Sequence, residues 1–152
     1  MSSQKIIKLG NVNFNESIET AKRRGINLAW SNDSFELWIL LHFEDINLKD
    51  KEREKYYSRL TEIFKTLTNP SEDLLKILKH GSFSYKRDLK SENNFRNIVR
   101  NEIVRKTKVA LDRAKHLEKY FQNIDMQNHE KSPYTLVHHL VEELIKHGEK
   151  DI

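Results

Sequence analysis

The stretch Ala29-Trp30-Ser31-Asn32-Asp33-Ser34-Phe35-Glu36-Leu37-Trp38-Ile39-Leu40-Leu41-His42-Phe43 decides how the rest of this chain is read. Eight of its fifteen residues are large and apolar or aromatic, yet Ser31, Asn32, Glu36 and His42 sit among them. Polar side chains in so apolar a setting cost free energy unless they find partners. Either they hold a buried turn together or they face a ligand. Ser31, Asn32 and Asp33 all suit an N-cap, so a helix is predicted over about residues 34–43. It is apolar on most sides and should be buried on most sides.

Upstream, Phe14, Ile18 and Ala21 recur at helical spacing, and Gly25 suits a C-terminal stop. Residues 26–30 (Ile-Asn-Leu-Ala-Trp) alternate and read as a strand. Helix, glycine, strand is the αβ half of a βαβ unit. Residues 5–9 read as a short strand and residues 10–13 as a turn. Downstream everything reads as helix. Residues 50–67 carry Tyr56, Tyr57, Leu60, Ile63, Phe64 and Leu67 at spacings of three and four. Ser71 caps a short helix that ends at His80-Gly81. Residues 82–90 are polar and ambiguous. A long helical pattern covers 91–121 with a break near 106–108, and Ser132-Pro133 opens the last helix, with Pro133 at its first position and Gly148 at its end. The expected fold is α/β but mostly helical: one domain over 1–152, with an α/β segment over 1–50 and a helical region over 51–152.

The chain has 152 residues, no cysteine and a net charge of +4. Disulfides and thiolate chemistry are excluded. The longest apolar run, residues 37–41, is far below the ~20 residues of a membrane span, and the N-terminus has no secretory apolar stretch. These features suit a soluble, cytoplasmic protein. Residues 51–120 hold 18 Lys and Arg against 10 Asp and Glu, whereas the flanks are neutral or acidic. That asymmetry suits an anionic partner, nucleic acid first, or a solvated helical surface.

The fifteen-residue stretch resembles the signature of the RloB-like family, which reads roughly Ser-Asn-Pro-x-Phe-Glu-x-Trp-x-Leu-Leu-His-Phe. Ser31, Asn32, Phe35, Glu36, Trp38, Leu40, Leu41, His42 and Phe43 match, and Asp33 stands where the family usually has Pro. Weaker matches follow at Tyr85-Lys86, over 110–114, and from Pro133-Tyr134-Thr135 into Leu140-Val141. The resemblance covers Phe14 to the C-terminus. It implies abortive phage resistance and a Toprim-type nuclease whose acids bind Mg²⁺, hard cations preferring carboxylate oxygen. In the family a Glu-bearing strand and an Asp-x-Asp strand supply those acids. Neither is found here, and no Asp-x-Asp occurs in the chain. The chain therefore resembles the family's C-terminal portion, inactive as a nuclease on its own. A non-catalytic helical module that binds nucleic acid or a partner ATPase is the alternative.

Two readings stand for each candidate residue. Glu36 is a catalytic or metal-binding carboxylate, or a carboxylate favoured by a helix N-terminus. Lys86 is a phosphate contact that stabilises developing charge, or a surface lysine. Tyr85, Arg87 and Lys90 lie beside it. Ser31 and Asn32 are binding residues or turn residues, and His42 is a binding residue or a hydrogen-bonded core histidine. His138, His139 and His147 lack metal spacing on one helix face and are assigned no metal. Two strands cannot make a stable sheet alone, so self-association or a sheet-completing partner is expected.

Overall fold

The computed structural model describes residues 3–32 and 34–150, with side chains described over 12–32 and 34–148. It is mostly helical with one two-stranded sheet. A long first helix, α1 (Ser3–Arg23), leads into strand β1 (Ser31–Asn32) and the short helix α2 (Glu36–Leu41). Helices α3 (Arg53–Lys65), α4 (Glu72–Leu78) and α5 (Tyr85–Asp88) follow. A continuous helical path then runs through α6 (Glu92–Asn94), a wide π-turn segment (Phe95–Val99), α7 (Arg100–Ile103) and a tight 3-10 turn (Val104–Lys106) into α8 (Thr107–Gln122). A 3-10 turn (Asn128–Glu130), strand β2 (Tyr134–Thr135) and α9 (Val137–Lys150) complete the described chain.

Every residue of α2 is buried, with Leu37 and Leu41 fully so. This is the physical consequence of a helix apolar all round: it has no face to give to water. It packs between α3 and α8, against Leu60, Phe64, Ala110 and Ala114. Its end carbonyls are satisfied in two ways. Arg113 Nη1 donates to Leu41 O at 2.8 Å, placing a cation at the negative end of the helix. His42 Nδ1 donates to Trp38 O at 2.9 Å.

Local signals work where expected. Gly25 ends α1 at φ +69°, a conformation that glycine adopts without cost. Ser71 Oγ accepts from Leu74 N at 3.3 Å and caps α4. The break in the long helical pattern falls at Val104–Lys106.

Several expectations are corrected. The α/β reading reduces to a helical fold with one small sheet, and the Toprim-like start is not confirmed by it. Residues 26–30 form no strand. Ile26 and Leu28 stay exposed, and the one ladder-like bond is Leu136 N to Trp30 O at 2.7 Å. The strand is displaced to Ser31–Asn32 and pairs antiparallel with β2, Ser31 opposite Thr135 and Asn32 opposite Tyr134. A parallel βαβ unit is therefore absent among the described residues. Residues 5–9 and 10–13 lie inside α1 rather than in a strand and a turn. Ser132-Pro133 does not open the last helix: it is a cis peptide before β2, and α9 begins at Val137 and runs past Gly148. Ser31 and Asn32 do not cap α2. Asp33, the third cap candidate, lies outside the described residues.

The amino-terminal helix is fastened to this sheet by aromatic and polar contacts. Phe14 meets Trp30 edge-on at 5.5 Å, Trp30 meets Tyr134 at 4.7 Å, and Tyr134 meets Phe121 of α8 at 5.5 Å. Asn15 holds the 128–130 turn, its Oδ1 accepting from His129 N at 3.0 Å.

Candidate functional site

The sequence candidates separate into two places. Ser31 and Asn32 are structural in their contacts. Ser31 Oγ and Thr135 Oγ1 share a hydrogen bond of 2.6 Å across the β1–β2 pair. Asn32 Nδ2 donates to His129 O at 2.8 Å and to Lys131 O at 2.9 Å. His42 is buried against Trp38, and burial pushes its imidazole below the ordinary value of 6.5.

Glu36, Tyr85, Lys86 and Lys90 converge instead on Tyr57, a residue that the sequence offered only as a core position. Tyr57 stands on α3 with its ring stacked on that of Tyr85, centroids 6.3 Å apart. Lys90 Nζ lies 4.8 Å from the centroid of the Tyr57 ring and donates to its hydroxyl at 2.8 Å. Lys86 Nζ lies 5.4 Å from the same ring. An ammonium over an aromatic face is attracted by the ring quadrupole. Lys90 also reaches Glu36 Oε1 at 3.4 Å, and Lys86 pairs with Glu54 at 2.9 Å. The local folding explains the placement. Ser84 caps α5, and its own N–H donates to Asp88 Oδ2 at 2.9 Å. Tyr85 N donates to Thr61 Oγ1 at 3.0 Å, which docks α5 on α3. Lys86 stands on α5 and Lys90 two residues past its end, and both ammonium groups come to the Tyr57 side.

The electrostatics follow from these contacts. The Tyr57 hydroxyl and the Glu36 charge hold Lys90 above its usual range, so it is a cation at neutral pH. Tyr85 is 1% exposed, and burial, with the Glu36 charge behind it, pushes its hydroxyl well up. It is a neutral donor here, not a nucleophile. Glu36 itself is nearly buried, its side chain 10% exposed. Arg87 points elsewhere, gripping both Asp88 oxygens and the Ser82 carbonyl. The cluster can bind an oxyanion through Lys86 and Lys90. Its two carboxylates, Glu36 and Glu54, are each engaged by a lysine, which leaves too few free acids for a two-metal centre.

A second cluster was not legible in the sequence. His138 and His139, at the start of α9, both approach Glu118 of α8. Glu118 lies twenty positions before His138, and no local pattern links them. His147 is not part of this group.

The architecture is that of a helical protein organised round one buried signature helix, with a lysine–tyrosine–glutamate face beside it. The chain matches the family model described as RloB-like protein over residues 4–144, and it belongs to the RloB-like family. No curated protein and no solved structure matches it. No described helix is long and apolar enough to cross a membrane.

Proposed function

We propose that this chain acts in phage defence as the phosphate-contacting, non-cutting part of a nuclease-type effector. Lys86 and Lys90, steadied on the Tyr57 ring, contact nucleic-acid phosphate. The carboxylates that would hold Mg²⁺ are supplied from outside these 152 residues, with Glu36 the one family-matched acid that this chain contributes. The observation that carries the reading is the convergence of four family-matched or neighbouring residues, Glu36, Tyr85, Lys86 and Lys90, around Tyr57. The absence of Asp-x-Asp from the sequence supports the non-cutting half of it. A Toprim-type origin is the family resemblance's implication and rests on the signature residues alone.

The test is direct. The protein should bind single- or double-stranded nucleic acid with steep salt dependence and cleave neither DNA nor RNA with Mg²⁺ or Mn²⁺. Lys86→Gln with Lys90→Gln should flatten the salt slope by roughly one to two units, about 0.9 for each duplex phosphate left without its lysine. Unchanged affinity in that double variant would sink the phosphate reading. Metal-dependent cleavage lost on Glu36→Gln would show that the chain is a nuclease in its own right.

One observation favours a docking role alongside this. Leu140 and Leu144 of α9 are 52 and 62% exposed and line one cleft with exposed Leu28. Apolar surface of this kind marks an association site. Self-association or docking on an ATPase fits it, and light scattering that finds only monomer would leave self-association without support.

A further inference from the structure

His138 is fully buried, and neither of its ring nitrogens has a hydrogen-bond partner. Its Nε2 lies 3.1 Å from Glu118 Oε2, at ion-pair distance but without hydrogen-bond geometry. His139 Nε2 reaches the same oxygen at 2.5 Å from the solvent side. One ligand atom from each of the three residues lies within 4.8 Å of the other two. An imidazole buried without a hydrogen bond costs free energy, and the carboxylate of Glu118 is the polar group that stands beside it. Neutral imidazole is the form that offers a lone pair to a metal.

We propose that Glu118, His138 and His139 form a binding site for a divalent first-row transition-metal ion, with zinc the best match. Two imidazole nitrogens and one carboxylate oxygen are the donor set that zinc, cobalt(II) and nickel(II) take. Magnesium keeps an octahedron of oxygens and does not fit. Arms of about 2.0 Å put neighbouring donors of a tetrahedron about 3.3 Å apart. The 3.1 Å separation from His138 is close to that, and the two imidazole nitrogens, within 4.8 Å of each other, have to settle to the same spacing. The 2.5 Å separation has to open, and the His139 side chain, 52% exposed, is free to turn. The start of α9 is fixed beforehand: Leu136 N donates to Trp30 O at 2.7 Å and Val137 N to Thr135 Oγ1 at 3.2 Å. The nearby lysine, Lys115, is occupied by Glu142 at 3.3 Å and leaves Glu118 to the two imidazoles.

Three protein ligands leave a fourth position on the open side of His139. His139 also lines a cleft of about 640 Å³ between residues 27–29 and α9, which gives water access to its side of the cluster. The second nitrogen of His138 lacks the carbonyl or carboxylate that usually orients a ligating ring. Affinity should therefore be about 10- to 100-fold weaker than at a fully supported site. This inference is independent of the phosphate reading, because the cluster sits on α8 and α9.

Metal-free protein titrated with Co²⁺ and followed by visible absorption tests it. One equivalent should produce the bands of a four-coordinate ion, and Zn²⁺ should displace them. Zn²⁺ should raise Tm by several degrees, and Mg²⁺ should not. His139→Ala removes a half-exposed ring and Glu118→Gln removes one charge, so both should fold. Each should weaken Co²⁺ binding at least about 10-fold. His138→Phe keeps the buried space filled and should abolish the bands. Absence of the bands in the unaltered protein overturns the assignment, and so does an unchanged Co²⁺ affinity in any of these variants.

Discussion

Around Tyr57, each carboxylate meets a cation: Glu36 faces Lys90 and Glu54 faces Lys86. Around His138, a single carboxylate meets two imidazoles, one of them buried and without a hydrogen bond. Both clusters combine a nearly buried group with exposed partners. They differ in charge. The first is balanced, each lysine paired with a carboxylate. The second sets one carboxylate against two imidazoles, with no lysine or arginine ion pair to that carboxylate among the described residues, and an ion would supply positive charge there. A balanced cluster fits an anion that displaces weak surface pairs, and an unbalanced one fits a cation.

The comparison breaks most severely if Tyr57 is not the organiser of the first cluster. Tyr57→Ala should cost about 3–5 kcal/mol, as for other large aromatic residues removed from a core. Tyr57→Phe should cost only about 1 kcal/mol, the hydroxyl's bond to Lys90. Equal destabilisation of the two variants in urea denaturation would mean that the hydroxyl, not the ring, holds the lysines.

Opposite signs sharpen the contrast. Lys90→Ala strips the partner from a nearly buried carboxylate and should destabilise by roughly 1–2 kcal/mol, less than a fully buried pair because Lys90 is 40% exposed. His138→Leu in metal-free protein removes two unpaired buried nitrogens and should be neutral or stabilising by about 1 kcal/mol. A clear drop in stability on His138→Leu would show that Glu118 already compensates the ring.

The smallest effect is a slope with pH. Burial lowers both His42 and His138 from 6.5 in the folded chain. Between the folded values and 6.5 the unfolded chain binds more protons. Stability should therefore be intact above pH 6.5 and fall as pH drops below it. His138→Leu should remove part of that slope. Asp88, held low by Arg87, acts only below its ordinary 3.8 and leaves this window alone. An unfolding midpoint that stays flat as pH falls through 6.5 to about 5 would contradict the burial of both rings.

Much of the helical body was readable because helices are written locally. The spacing of Phe14, Ile18 and Ala21, the stop at Gly25, the cap at Ser71 and the core positions along α3 and α8 all depend on neighbours within a turn or two. The sheet was not readable. Ile26 and Leu28 alternate like a strand, yet a strand exists only where a partner supplies hydrogen bonds, and the partner stands at Ser31–Asn32, more than 100 residues from Tyr134–Thr135. Pro133 misled for a related reason, since a proline suits a helix start and a strand edge equally by its own geometry.

The candidate sites divide along the same line. The sequence, by residue type and family resemblance, marked Glu36, Tyr85, Lys86 and Lys90, and with them Ser31, Asn32, His42 and Arg87, whose contacts lie elsewhere; helical period set the buried character of α2. Only the tertiary structure placed Tyr57 beside two lysines and brought Glu118 to His138 and His139. Those meetings depend on how α3, α5, α8 and α9 pack across one another, and packing is decided by shape and burial over the whole chain rather than by any short run of residues.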